Sequence, residues 1–179
     1  MGARGRMRLG NRINWSHRTG RRIRTGLAMT IVALGGAGTA IAISAADTEP
    51  PAPKYNSLAR TVDPIGANGR ALNLARVVIP PGSRLPLHYH QGTQVGYIQS
   101  GVLTYHVQSG RARLMRGAGD APKLIRVIRA GQTVRVRPGQ WLIEQPYDHH
   151  RAANYGRKPV VVLLANLLLK NAAPSKLIP

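Results

Sequence analysis

From residue 71 onward the sequence is a succession of short apolar stretches, each closed by glycine or proline, and no other feature restricts the fold as tightly. LNLARVVI ends at Pro80-Pro81-Gly82, LPLHYH and TQVGYIQ lead to Ser100-Gly101, and VLTYHVQ runs to Ser109-Gly110. KLIRVI, TVRVR and QWLIEQ then end at Ala130-Gly131, Pro138-Gly139 and Pro146, and VVVLLANLLL comes last. Runs of this length, broken at regular intervals by turn residues, predict an all-β sandwich or a single antiparallel barrel. Thr133 to Arg137 alternates strictly, with Val134 and Val136 against Arg135 and Arg137, as a half-buried strand does. Gly110 to Pro122 predicts a polar hairpin or loop. Val160 to Leu169 is apolar on both faces and reads as a central strand or a short helix.

The texture before residue 71 is different. Residues 1–24 form a basic leader rich in Arg and Gly, without apolar period. Thr25–Ala46 then runs without a charge, long enough as a helix to span a hydrocarbon core of about 30 Å, though Gly26, Gly35, Gly36 and Gly38 dilute it. Basic residues precede it and Asp47 and Glu49 follow, which predicts the N-terminus inside and the domain outside the cytoplasmic membrane. Small residues at Ala40, Ala42, Ser44 and Ala46 offer cleavage sites, so 25–46 is either a cleaved signal peptide or an uncleaved anchor. Residues 47–70, with Pro50, Pro51, Pro53 and Pro64, read as an extended linker. The β domain is then 71–172, and 173–179 a C-terminal tail.

Charge narrows the partners. The chain has 26 Lys plus Arg against 6 Asp plus Glu, and eight of the arginines precede Thr25. The 18 basic and 6 acidic residues from Asp47 onward still leave +12, which favours phosphate, anionic lipid or another anion, or is simply a solvated arginine surface. No nucleic-acid-binding motif or aromatic stacking pattern accompanies the charge, and Phe is absent, so specific nucleic-acid recognition is not expected. The absence of Cys removes disulfides, thiolate metal ligands and a cysteine nucleophile together.

The chemistry is concentrated in the histidines. One group reads Gly82-x5-His88-x-His90-x3-Gln94-x6-Gly101. His88 and His90 are two apart, so on a strand both imidazoles leave the same face. A turn at Gln91-Gly92 lets antiparallel pairing bring Gln94 back beside them. A second group, Gly139-x10-His150-x3-Asn154, offers a third imidazole from a distant strand, and imidazole suits Fe, Mn, Zn, Ni or Cu as a divalent ion. His106, on the strand after Gly101, reads as a packing residue or a support for the ligands.

These two groups resemble the paired motifs of the cupin superfamily. The first is matched at every spacing; its one departure is Gln94, where the family usually has Glu. In the second, Gly139, His150 and Asn154 fall at the family's spacing, but Gln145-Pro146-Tyr147 replaces the central Pro-x-Gly. The altered turn leaves His149 as an alternative ligand to His150. The resemblance implies a jelly-roll-like antiparallel β-barrel and one divalent transition metal held by His88, His90, Gln94 and His150. With Gln rather than Glu at residue 94, such a site stays near +2 and favours an anionic ligand.

Few acids lie near these groups. Glu144 and Asp148 are candidates for a general base, although partnership with surface arginines is the commoner role for such residues. Arg84 and Arg151 border the motifs and are expected to hold an anionic substrate by bidentate contacts. Three readings follow: an extracytoplasmic metal-dependent enzyme of dioxygenase or isomerase type; a non-catalytic module binding a sugar or small anion, in either case as a monomer or homodimer; and a membrane-surface protein acting through its arginines.

Overall fold

A computed structural model describes residues 49–118 and 120–179. The leader and the signal or anchor segment lie outside the described residues. Among those described, no helix is long and apolar enough to cross a membrane.

All regular structure in the described residues is β. The strands are β1 Lys54–Val62, β2 Arg70–Ile79, β3 Arg84–Tyr89, β4 Gly92–Ser100, β5 Leu103–Val107 and β6 Arg111–Arg116. They continue with β7 Lys123–Arg129, β8 Thr133–Val136, β9 Gln140–Glu144, β10 His150–Ala153, β11 Val160–Leu169 and β12 Lys176–Leu177. They form two antiparallel sheets, ordered β1-β2-β11-β4-β9-β6-β7 and β12-β3-β10-β5-β8. Eight of these strands make up the barrel, β2-β11-β4-β9 in the larger sheet and β3-β10-β5-β8 in the smaller. Successive members cross from one sheet to the other, except β5 and β8, which pair within one. That is the jelly-roll arrangement, in which two sheets enclose one core.

Alternation fixes which residues form the core. In β2, Ala71, Ala75, Val77 and Ile79 point inward and are buried, whereas Leu72 and Leu74 point out. Ile98, Val107, Ile128, Val136 and Val160 complete a dry centre between the sheets. Val160–Leu169 is a strand and not a helix: it pairs on both edges, with β2 and β4. Gly110–Pro122 holds strand β6 together with the turn before it and the connection by which it forms a hairpin with β7. Gly101 shows why a glycine closes the first motif. Its φ is +74°, and a Cβ there would stand 2.6 Å from the Pro159 carbonyl oxygen.

Two boundaries differ from those expected. The span 47–70 is not a linker throughout, because Lys54–Val62 pairs along β2 from Lys54↔Val78 to Val62↔Ala71. As an edge strand it is exposed over nearly its whole length, so it carries no apolar alternation to betray it; only Tyr55 packs on the core. The tail 173–179 likewise belongs to the fold. β12 pairs with the end of β3, through Lys176↔Tyr89 and Leu177↔His88.

Candidate metal centre

The two sheets bring polar side chains to one end of the core from opposite sides. From the smaller sheet come His88, near the end of β3, and His150, opening β10, which are direct ladder partners. His90 follows β3 by one residue. From the larger sheet come Gln94 on β4 and Glu144 on β9, also ladder partners, so both project to the same face. All five are buried; Gln94 is 1% exposed and Glu144 8%.

The ring orientations are set from behind by backbone carbonyls. Nδ1 of His88 lies 2.7 Å from Pro86 O, Nδ1 of His90 2.7 Å from Pro174 O, and Nδ1 of His150 3.1 Å from Asp148 O. A carbonyl only accepts, so each Nδ1 carries the hydrogen and the electron pair is on Nε2. Nε2 of His90 and Nε2 of His150 then face each other at 3.2 Å. Glu144 Oε2 stands 3.5 Å from the first and 3.6 Å from the second. One ring nitrogen from each of the three histidines falls within 4.8 Å of the others. Such a convergence of electron pairs is repulsive unless a proton or a cation lies among them.

A proton is not readily retained on the imidazoles. Burial holds His88 and His90 down to a pKa of about 3 and His150 to about 4; for His88 the neighbouring His150 adds to the effect. Burial also raises the Glu144 carboxyl, against the opposing pull of His90 and a hydrogen bond from the Tyr105 hydroxyl. Tyr105, in turn, is pushed well above the ordinary phenol range by burial and by the Glu144 charge. Three neutral imidazoles held by outer hydrogen bonds, with a carboxylate beside them, form a donor set suited to a divalent transition metal.

The donors open on a cavity of about 80 Å³ whose remaining wall is mostly apolar, with Val77, Ile79, Ile98, Leu103 and Leu142 among its residues. Pro174 and Ser175 close one side. The Pro174 carbonyl takes both the His90 ring and the Gln94 Nε2 hydrogen bond, the latter at 3.2 Å.

Several expected site residues lie elsewhere. His149 follows strand parity to the opposite face from His150, with its ring 5.7 Å from that of Tyr89, and does not replace His150. His106 also faces away, on the strand face opposite Tyr105, with Nδ1 bonded to Thr133 Oγ1 at 2.9 Å. Arg84 and Arg151 are exposed and line no part of the cavity. Arg84 stands over the Tyr155 ring and Arg151 alternates outward from His150. Asp148 is spent on the turn, accepting from Arg111 N. Glu144 is the reverse case: expected at the surface, it is buried against the imidazoles. Parity was ambiguous there, since Trp141, Leu142 and Ile143 are all apolar; only the inward position of Leu142 fixes Glu144 as inward.

Asn154 shows what the end of the second motif does. Fully buried, it donates to the Ile79 and Lys158 carbonyls and accepts from Gly156 N, each at 2.9 Å, which pins the β10–β11 connection to the end of β2. Tyr147 occupies the glycine position of the altered turn and keeps a φ of +66°. Both motifs thus sit on the jelly-roll strand order with their histidines converging. The fold is the jelly-roll barrel that the resemblance to the cupin motifs implied.

No protein-family profile matches this sequence, and no curated protein does. Solved structures that resemble the barrel include the Schizosaccharomyces pombe Cnp3 cupin domain, 14% identical over 65% of this chain and 64% of that one, with a TM-score of 0.45. A Klebsiella pneumoniae protein with a double-stranded β-helix domain is 20% identical over 74% and 89%, TM-score 0.42. The Ruegeria pomeroyi DMSP lyase DddQ is 19% identical over 59% and 42%, TM-score 0.42. The chain spans 44% and 42% of the two DMSP lyase structures it resembles. Likenesses this distant say nothing of activity.

Proposed function

We propose that this cupin barrel holds one divalent transition metal on His88, His90 and His150, and that the metal's open positions receive a small organic ligand. The observation that carries the reading is the pair of Nε2 atoms 3.2 Å apart whose partner nitrogens both face carbonyls. A bound metal would act as a Lewis acid toward the ligand's donor group. The chain's own part is to orient the imidazoles, keep them neutral and exclude water. The apolar wall and small volume favour a compact ligand with one anionic or otherwise electron-rich end. Chemistry of dioxygenase or isomerase type suits such a centre, and export through the 25–46 segment would place it outside the cytoplasmic membrane.

Elemental analysis of the purified full chain is expected to find about one transition metal per molecule. The variant His88→Ala, His90→Ala, His150→Ala should lose it while keeping a β-type circular dichroism spectrum. Equal metal content in the two proteins refutes the reading. Protease added to intact spheroplasts should digest the domain while a cytoplasmic marker survives; equal protection refutes export.

A further inference from the structure

We propose that Glu144 is the fourth protein ligand of the metal, supplying from β9 the carboxylate that the first motif ordinarily carries at residue 94. The proposal rests on the three-histidine reading above and adds to it the one charged group of the site.

The donor spacing supports it first. Bonds of about 2.0–2.2 Å to nitrogen and oxygen place neighbouring ligand atoms of one metal about 3.0–3.5 Å apart. Here Nε2 to Nε2 is 3.2 Å for His90 and His150, and Glu144 Oε2 lies 3.5 and 3.6 Å from them. Small movements would bring these three onto a common ion; Glu144 is outside the mutually close set formed by the three histidines, so joining His88 as well requires its side chain to swing further in. A hydrogen bond from an imidazole N–H would draw the carboxylate closer than this, and both imidazoles already spend their hydrogen on a carbonyl.

Topology supports it next. Gln94 and Glu144 are direct partners across the β4–β9 ladder, so their side chains start from neighbouring points on the same face. Moving the acid from one to the other keeps it on the wall opposite the imidazoles. Nε2 of Gln94 meanwhile donates to Pro174 O, a bond that a carboxylate at residue 94 has no hydrogen to make, and its amide oxygen brings no charge to the site. Gln94 therefore holds the C-terminal segment over the site while Glu144 brings the charge.

Charge closes the case. Glu144 is 8% exposed with no Lys or Arg within ion-pairing distance among the described residues; its close partners are the two imidazoles and the Tyr105 hydroxyl. A buried carboxylate without a cation is costly, and a divalent metal supplies one. The loaded site then carries a net charge of +1, not the +2 expected from Gln94 alone.

The test uses metal-free full-length protein titrated with Co²⁺ and with Zn²⁺ against a chelator, with the visible absorption of the Co²⁺ form recorded. Glu144→Gln should weaken both metals by about tenfold or more, since loss of even an outer-shell partner costs that much. It should also change the intensity and position of the Co²⁺ bands, which report the donor set itself. The exchange variant Gln94→Glu, Glu144→Gln should recover most of the lost affinity, because the acid returns to the same wall. If Glu144→Gln does not fold, Glu144→Asp, which keeps the charge but shortens the reach, should still alter the bands and weaken binding. Native affinity and an unchanged Co²⁺ spectrum in Glu144→Gln, or in Glu144→Asp where that stands in, would overturn the proposal while leaving the three-histidine reading intact. Native protein that binds neither metal would overturn both.

Discussion

Ending the chain after Ala173 should damage the metal centre from a position no motif marks. The Pro174 carbonyl accepts from His90 Nδ1 at 2.7 Å and from Gln94 Nε2 at 3.2 Å, and both donors are buried. Leaving a buried donor unsatisfied costs about 1–3 kcal/mol, and water entering the opened site pulls each loss toward the lower end, for a total of about 2 kcal/mol. Where the empty site can relax and the loaded site, with its rings fixed, bears the cost, about 1.4 kcal/mol per tenfold makes the loss of metal affinity roughly thirtyfold. That lies within the roughly 10–100-fold range for removal of an outer-shell partner of a ligating histidine. The same truncation also removes β12 and the bond from Ile178 N to Leu87 O, so a second truncation is needed to separate the effects. Ending the chain after Ser175 also removes β12 but keeps the carbonyl. Chelator competition with Zn²⁺ should show about thirtyfold weaker binding for the first truncation and less than threefold for the second. Equal affinities in the two would show that the carbonyl does not orient His90.

Other expectations follow from the same geometry. Above pH 6.5 the three imidazoles are neutral in both folded and unfolded protein; below it the unfolded chain takes up protons that the folded site refuses until about pH 3 to 4. Stability of the metal-free protein should therefore fall on acidification through this window, by up to about 1.4 kcal/mol per pH unit for each histidine, and urea midpoints that stay flat from pH 7 to 4.5 would contradict it. Gly92→Ala should destabilise by about 3 kcal/mol or more, because the new Cβ would meet Leu167 O at 2.1 Å on the backbone of a paired strand. Gly96→Ala, whose Cβ would stand 3.5 Å from Val162 Cγ1, should change the urea midpoint little by comparison. Asn154→Ala should cost about 2–4 kcal/mol through its three lost bonds, and a loss below 1 kcal/mol would mean the β10–β11 connection holds without it.

Most of the barrel was legible because its strands are short, its turns are marked by glycine and proline, and the inward positions must be apolar. Legibility failed where burial did not constrain the sequence. Lys54–Val62 pairs as an edge strand with one side to solvent, so KYNSLARTV reads as polar linker although its backbone is tied along the length of β2. The C-terminal segment contributes to the site through a backbone carbonyl, an atom every residue possesses. No side-chain pattern can single out Pro174, because its role depends on where the chain passes and not on what it carries.

The site was legible where a motif fixes a spacing and obscure where the ladder has to be known. His88, His90 and His150 follow from spacing and strand parity. Arg151 was misplaced because the strand residue beside a ligand points to the opposite face, and Arg84, four residues before His88, because the irregular register between His88 and Leu85 turns Leu85 inward in its place. The two departures from the motifs are instructive together. At residue 147 the turn keeps its left-handed backbone although tyrosine has replaced glycine, and a non-glycine residue there is strained by about 1–2 kcal/mol. At residue 94 the acid is missing from its strand and present on the next, one ladder position away at Glu144. In both places the sequence pattern is broken while the spatial requirement is met, in one case by backbone strain and in the other by a partner across the sheet. A departure from a motif therefore becomes evidence of lost chemistry only after the neighbouring strand has been searched for the missing group.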